Sequence, residues 1–213
     1  MTQLATFTGQ PTGGEGVSYE EFLRLTDGMH AEWVDGEVIP GVAVSRTHDN
    51  AHNFLHHVLD GFAGDRGLGE VHRDPFQMKT GPGLPGRAPD LIFVANEHLN
   101  RLHENYLEGP ADLAVEIVSP GNASTDYVDK YREYETGGVA EYWILDPVNQ
   151  TADFFVLTEG RFARAQADGE GVYRSAAVPG FWLRLAWLWE RPPLSKVLPE
   201  LLAGPPPEID PTR

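Results

Sequence analysis

Two short runs set carboxylates inside segments that otherwise read as buried strands. Leu113-Ala-Val-Glu-Ile-Val118 carries Glu116, and Pro89-Asp-Leu-Ile-Phe-Val94 carries Asp90 at its start. Side chains alternate along a strand, so Glu116 shares a face with Ala114 and Val118, and Asp90 shares one with Ile92 and Val94. A charge among such neighbours costs roughly several kcal/mol unless it is paired or coordinates a metal. Glu116 therefore pairs with a basic side chain, caps a backbone group, or helps to hold a cation. Two carboxylates on neighbouring strands can share a hard cation such as Mg2+ or Mn2+, with water filling the other positions. Such an ion acidifies a bound water and neutralises charge building on a phosphate.

Other residue groups bear on the same chemistry. Asp126, Lys130 and Tyr134 repeat at helical spacing and form one row; on that spacing alone Asp126 and Lys130 are a surface pair. His48, His52 and His56 also lie on one helical face, as a polar cleft edge, a solvated face or a metal site. Glu32 and Glu37 flank an Asp35-Gly36 turn, and which of them faces a site depends on strand register. Arg66, Arg73, Lys79 and Arg87 outnumber the acids just before Asp90, as a basic rim for nucleic-acid phosphate or a solvated loop. Trp182, Trp187 and Trp189 suit core packing or a subunit interface better than base stacking.

The elements that must position these groups follow from local pattern. Ser18 caps a short helix to Leu25, and Asp35-Gly36 suits a two-residue type I′ hairpin turn. Apolar residues from Ala51 to Phe62 recur at helical spacing, predicting a helix over 47–62. Residues 69–79, 89–95 and 113–119 read as strands, 80–88 as a Gly/Pro loop and 96–108 as helix or turn. Ser124 or Thr125 starts a helix over 125–136 that Gly137-Gly138 stops. Two strands follow, EYWILDP and ADFFVLTEG, then further short strands ending in FWLRL. This order predicts a mixed α/β domain around a central sheet.

Composition narrows the classes. The chain has 213 residues, 41% hydrophobic and 23% charged, which suits a soluble globular domain. A formal net charge of −16 disfavours nonspecific coating of nucleic acid, though it leaves room for a local basic cleft. No cysteine is present, so disulfides, thiolate zinc sites and thiol nucleophiles are excluded. There is no signal-peptide pattern and no apolar run long enough to span a bilayer, so a cytoplasmic protein without a membrane partner is expected. No phosphate-binding glycine motif or serine-hydrolase elbow occurs.

Pro89-Asp90, then Glu116-Ile117-Val118, then Asp126, Lys130 and Tyr134, then GVAEYWILDP together resemble the Uma family of restriction endonucleases, within the PD-(D/E)XK nuclease superfamily. The resemblance runs from about Ser18 to Leu188. It includes the Glu32–Glu37 hairpin, Ser45 with His48, and Val178-Pro-Gly-Phe181. It implies a restriction-endonuclease-like core, a central mixed sheet flanked by helices with an N-terminal helix–hairpin extension, over residues 17–190. Residues 1–16 would then be a flexible leader, and 191–213 a C-terminal helix or turn with a Pro-rich tail. The resemblance implies that Asp90 and Glu116 bind Mg2+ or Mn2+. The superfamily's lysine two residues after the acid is Val118 here, a departure the Uma family shares, and Lys130 is the natural replacement. Glu32 or Glu37, with His48, Asp126 and Tyr134, are then expected in supporting roles, and Arg73, Lys79 and Arg87 of the basic stretch are the candidates for nucleic-acid contact. The implied activity is phosphodiester hydrolysis, on DNA rather than RNA, by a homodimer, since two strands need two sites. The alternative is a non-catalytic binding or regulatory protein that keeps the fold.

Overall fold

Near-continuous apolar runs, buried on both faces, build the middle of the central sheet. The computed structural model describes residues 16–119 and 123–206. The leader over 1–15 and the tail beyond Pro206 lie outside the described residues. Six strands form this sheet in the order β11-β10-β9-β8-β6-β3: β3 (Gly69–Arg73), β6 (Leu91–Ala95), β8 (Leu113–Ile117), β9 (Glu141–Asp146), β10 (Thr151–Thr158) and β11 (Arg161–Ala165). All neighbours are antiparallel except β8 and β9, which run parallel. A parallel pair needs a crossover, and that crossover carries the π-helical turn Thr125–Lys130 and α3 (Tyr131–Gly137). The fold is the mixed α/β architecture expected.

Each face of the sheet has its own core. On one side Leu91, Phe93, Leu113, Val115, Ile117, Trp143 and Leu145 meet Ala51, Leu55, Val58, Leu59 and Phe62 of α2 (Arg46–Arg66). α2 is capped by the Ser45 hydroxyl, which accepts from His48 N–H at 3.2 Å, and closed by Gly67 in the left-handed region at φ 60°. Each large apolar side chain buried there contributes roughly 1.5–3 kcal/mol. On the other side Ile92, Val94, Ala114, Val118 and Ile144 lie under Tyr134 of α3.

A second sheet flanks this second core in the order β2-β1-β5-β4-β7: β1 (Ala31–Val34), β2 (Glu37–Pro40), β4 (Gln77–Lys79), β5 (Gly86–Arg87) and β7 (Tyr106–Glu108). α1 (Tyr19–Leu25) leads into the β1–β2 hairpin, whose turn residues Asp35 and Gly36 have φ of 49° and 85°, as a type I′ turn requires.

Several expectations need correction. The single strand over 69–79 is two strands in different sheets, because the chain bends at Asp74-Pro75 and Gln77–Lys79 pairs with β5 and β7 instead. Neither Ser124 nor Thr125 caps the crossover helix through its side chain; residues 123–124 are already helical and the next turn is π. Past residue 190 a last helix (Leu194–Ala203), in the stretch read as helix or turn before the tail, buries Val197 and Leu201 in the α2-side core. Leu201 O accepts from Trp182 Nε1 at 3.3 Å, and Leu202 O accepts from Arg66 Nη2 at 2.7 Å.

Candidate active site

β6 and β8 pair with Leu91 opposite Val115 and Ile92 opposite Ala114. Extending that register by one residue sets Asp90 across from Glu116, on the face that carries α3. Asp90 ends the loop before β6, and its Oδ2 accepts the Ile117 N–H at 2.6 Å, which ties it to β8. Both carboxylates line a cleft of about 430 Å3, together with Glu32, His48, Asp126 and Lys130.

Lys130 is the hub. Its Nζ stands 2.8 Å from Glu116 Oε2, 3.3 Å from Glu32 Oε1 and 3.4 Å from Asp126 Oδ1. Tyr134, one turn on, donates its hydroxyl to Glu116 Oε1 at 2.7 Å. Each oxygen of the buried glutamate thus has one donor from the crossover helix. Val118, two residues after Glu116, is 5% exposed and packs in the α3-side core.

A second cation braces the wall. Arg87 on β5 donates Nε and Nη2 to Glu133 at 2.7 and 2.6 Å, and Nη1 to Glu32 at 2.8 Å. This fork joins the hairpin sheet to α3 and fixes Glu32 toward Lys130. On the remaining side His48 Nε2 lies 3.1 Å from Asp90 Oδ1. His52 Nε2 reaches the Asp90 carbonyl at 2.9 Å and Asp74 Oδ1 at 3.4 Å, so two histidines of α2 hold the Asp90 loop.

The charges are unevenly matched. Five carboxylates (Glu32, Asp90, Glu116, Asp126, Glu133) face two permanent cations, Arg87 and Lys130, and His48. Burial pushes Glu116 well above the usual carboxylate range, against the pull of Lys130, and the charges of Asp126, Asp90 and Glu32 add to the rise. Burial raises Asp126 as well. Burial would also raise Asp90, but the hydrogen bond and charge of His48 outweigh it and hold Asp90 low. Burial alone would depress the Lys130 ammonium; Glu116, Glu32 and Asp126 outweigh that and hold it above the ordinary lysine value.

The donor set fits a hard divalent cation. Its oxygens are carboxylates, and five carboxylates stand around two permanent cations. Among the described residues no three Asp, Glu or His side chains converge as a ready-made cage.

The other expected residues fall differently. Glu37 is exposed on β2 and absent from the cleft lining; the register pairs it with Val34, on the same face as Glu32 but at the turn end of the hairpin. Arg87 is no nucleic-acid rim: it is 6% exposed, with all three nitrogens on carboxylates. Lys79 donates to Leu84 O and lies 4.4 Å over the Trp33 ring, folded onto the hairpin. Arg73 is exposed beside a recess of about 150 Å3 that it shares with His48, His52 and Asp74. His48 and His52 are buried rather than solvated. Trp182 and Trp187 pack in the core. Sequence reasoning missed Glu133, since nothing local to it announces a partner 46 residues away. It also missed Glu141, a fully buried carboxylate that accepts from Trp143 Nε1, Tyr173 Oη, Ser175 Oγ and Ala177 N–H at 2.6–2.7 Å.

A family model described as "Uma2: Putative restriction endonuclease" matches residues 19–186. The chain belongs to the Uma2 family. The match spans the hairpin, the cleft and the Glu141-anchored segment. Among solved structures, a "putative nuclease belonging to DUF820" from Anabaena variabilis has a similar fold, with a TM-score of 0.67 and 16% identity over 80% of this chain and 96% of that one. Comparison with curated proteins gave no match. Among the described residues no helix is long and apolar enough to cross a membrane.

Proposed function

We propose that this Uma2 protein is a cytoplasmic metal-dependent endonuclease that hydrolyses phosphodiester bonds, with DNA preferred over RNA. The observation that carries the reading is the buried Lys130–Glu116 contact at 2.8 Å, set in a cleft wall that also presents Asp90. Asp90 and Glu116 would hold Mg2+ or Mn2+, with Asp126 beside them. A divalent cation bound there supplies Lewis acidity, acidifying a ligated water and offsetting phosphate charge.

The residues of the chain supply the rest. Lys130, with three carboxylates around its ammonium, acts as a donor: it orients the attacking water and stabilises negative charge in the transition state. Tyr134 and Lys130 fix the Glu116 carboxylate, and His48 and the Ile117 N–H fix Asp90. Water adds at phosphorus, the bond from phosphorus to one sugar oxygen breaks, and that oxygen takes up the proton. Where both strands of a duplex are cut, two sites related by a two-fold axis are the common arrangement, and the protein then works as a homodimer.

Plasmid nicking in Mg2+ and Mn2+ tests the reading, with calorimetric titration of Mn2+ alongside. Wild type should nick, and Asp90→Asn and Glu116→Gln should lose both nicking and most of the heat of metal binding while staying folded by circular dichroism. Absence of cleavage across DNA and RNA substrates, or equal cleavage by the variants, would sink it and favour a binding protein that keeps the fold.

A further inference from the structure

The cleft has two unlike walls. The floor is the carboxylate network; the opposite wall is the end of β2 and the segment leading to α2. Ile39, Val42 and Val44 line that wall and are 41%, 60% and 43% exposed. Single exposed aliphatic residues are ordinary, but a group of them at the mouth of a cleft marks a binding surface. Pro40 and Val34 extend it.

The cleft offers a phosphate backbone little purchase. Its basic side chains are Arg87, Lys130, His30 and His48. Arg87 and Lys130 are 6% and 7% exposed and already bonded to carboxylates, and His48 is turned to Asp90. Duplex binding draws most of its strength from many phosphate contacts to accessible Lys and Arg, and the chain as a whole carries −16. A volume of about 430 Å3 is the size of a small-ligand site, and apolar side chains are what an unstacked base packs against.

We propose that the cleft takes an unpaired polynucleotide strand, seating a base or sugar on the Ile39–Val42–Val44 wall while the adjoining phosphate faces the carboxylate floor. This rests on the phosphodiester reading above and narrows its substrate; one copy of the chain suffices for one strand. Paired duplex lacks an exposed base face to offer the wall.

The test uses the full chain with labelled 12-nucleotide probes in Ca2+ for binding and in Mn2+ for cleavage: single-stranded DNA, the same sequence as RNA, blunt duplex, and duplex with a central bubble. Unpaired probes should bind and be cut at least about tenfold better than blunt duplex. Val42→Ser combined with Val44→Ser should lose most of that advantage at unchanged Tm and unchanged Mn2+ calorimetry, and the Val→Leu pair should keep it. Equal or better use of blunt duplex, or an unaffected serine variant, overturns the inference and leaves the nuclease reading standing. Failure to cut any probe in Mn2+ removes the nuclease reading, and this inference with it.

Discussion

Lys130 and Glu116 meet at 2.8 Å with both side chains under 10% exposed, one from a π-helical turn and one from the middle of a strand. Glu32 and Asp126 share the same ammonium. Removal of Lys130 leaves several buried negative charges facing one another, which costs about 3–5 kcal/mol for a broken buried pair. Lys130→Ala should therefore unfold at markedly lower urea, and millimolar Mn2+ should recover part of the loss by replacing the missing charge. A variant as stable as wild type would contradict this.

Arg87 and Arg73 separate structure from binding. Arg87→Ala strips Glu32 and Glu133 of their shared partner and should cost about 3 kcal/mol or more in stability. Arg73→Ala should leave stability within about 0.5 kcal/mol. If Arg73 meets a phosphate, its loss lowers the salt dependence of nucleic-acid binding by about one in the log–log slope. Denaturant melts and salt-titrated anisotropy give the two readouts.

Glu141 holds the segment from Tyr173 to Ala177 against β9 through four donors. Glu141→Gln presents an amide where donors converge and should cost about 2–3 kcal/mol. Wild-type-like calorimetric binding of Mn2+ is expected in the folded fraction, because Glu141 lies on the α2-side face of the sheet.

Glu135 ties α3 to β11. Its carboxylate accepts the Phe162 N–H at 2.8 Å and an Arg161 nitrogen at 2.9 Å, and these bonds, the backbone one first, hold its pKa below the ordinary value. The folded pKa lies below the unfolded one, so the stabilisation is present above the unfolded pKa of about 4.3 and is lost as pH falls through the folded pKa. Glu135→Gln should lower Tm by about 2–4 °C at pH 7 and flatten the Tm profile below about pH 4. Parallel profiles for the two proteins would show that the bonds contribute nothing.

Much of this molecule was legible in its sequence, because the signals involved are local. Alternation placed Asp90 and Glu116 on the faces they occupy, the Asp35-Gly36 pair marked its turn, and helical spacing put Asp126, Lys130 and Tyr134 in one row. What lies between elements was not legible. The choice of Glu32 over Glu37 depends on position along the hairpin: the register sets both on one face, and packing brings Glu32, not the turn-end Glu37, beside Arg87 and Lys130. Arg87 read as a free surface cation because its partners, Glu32 and Glu133, are 55 and 46 residues away in the chain. Burial turned the Asp126–Lys130 spacing from a surface pair into part of a cluster of three carboxylates around one ammonium, and burial is a property of the packed sheet and crossover, which no local stretch of residues carries.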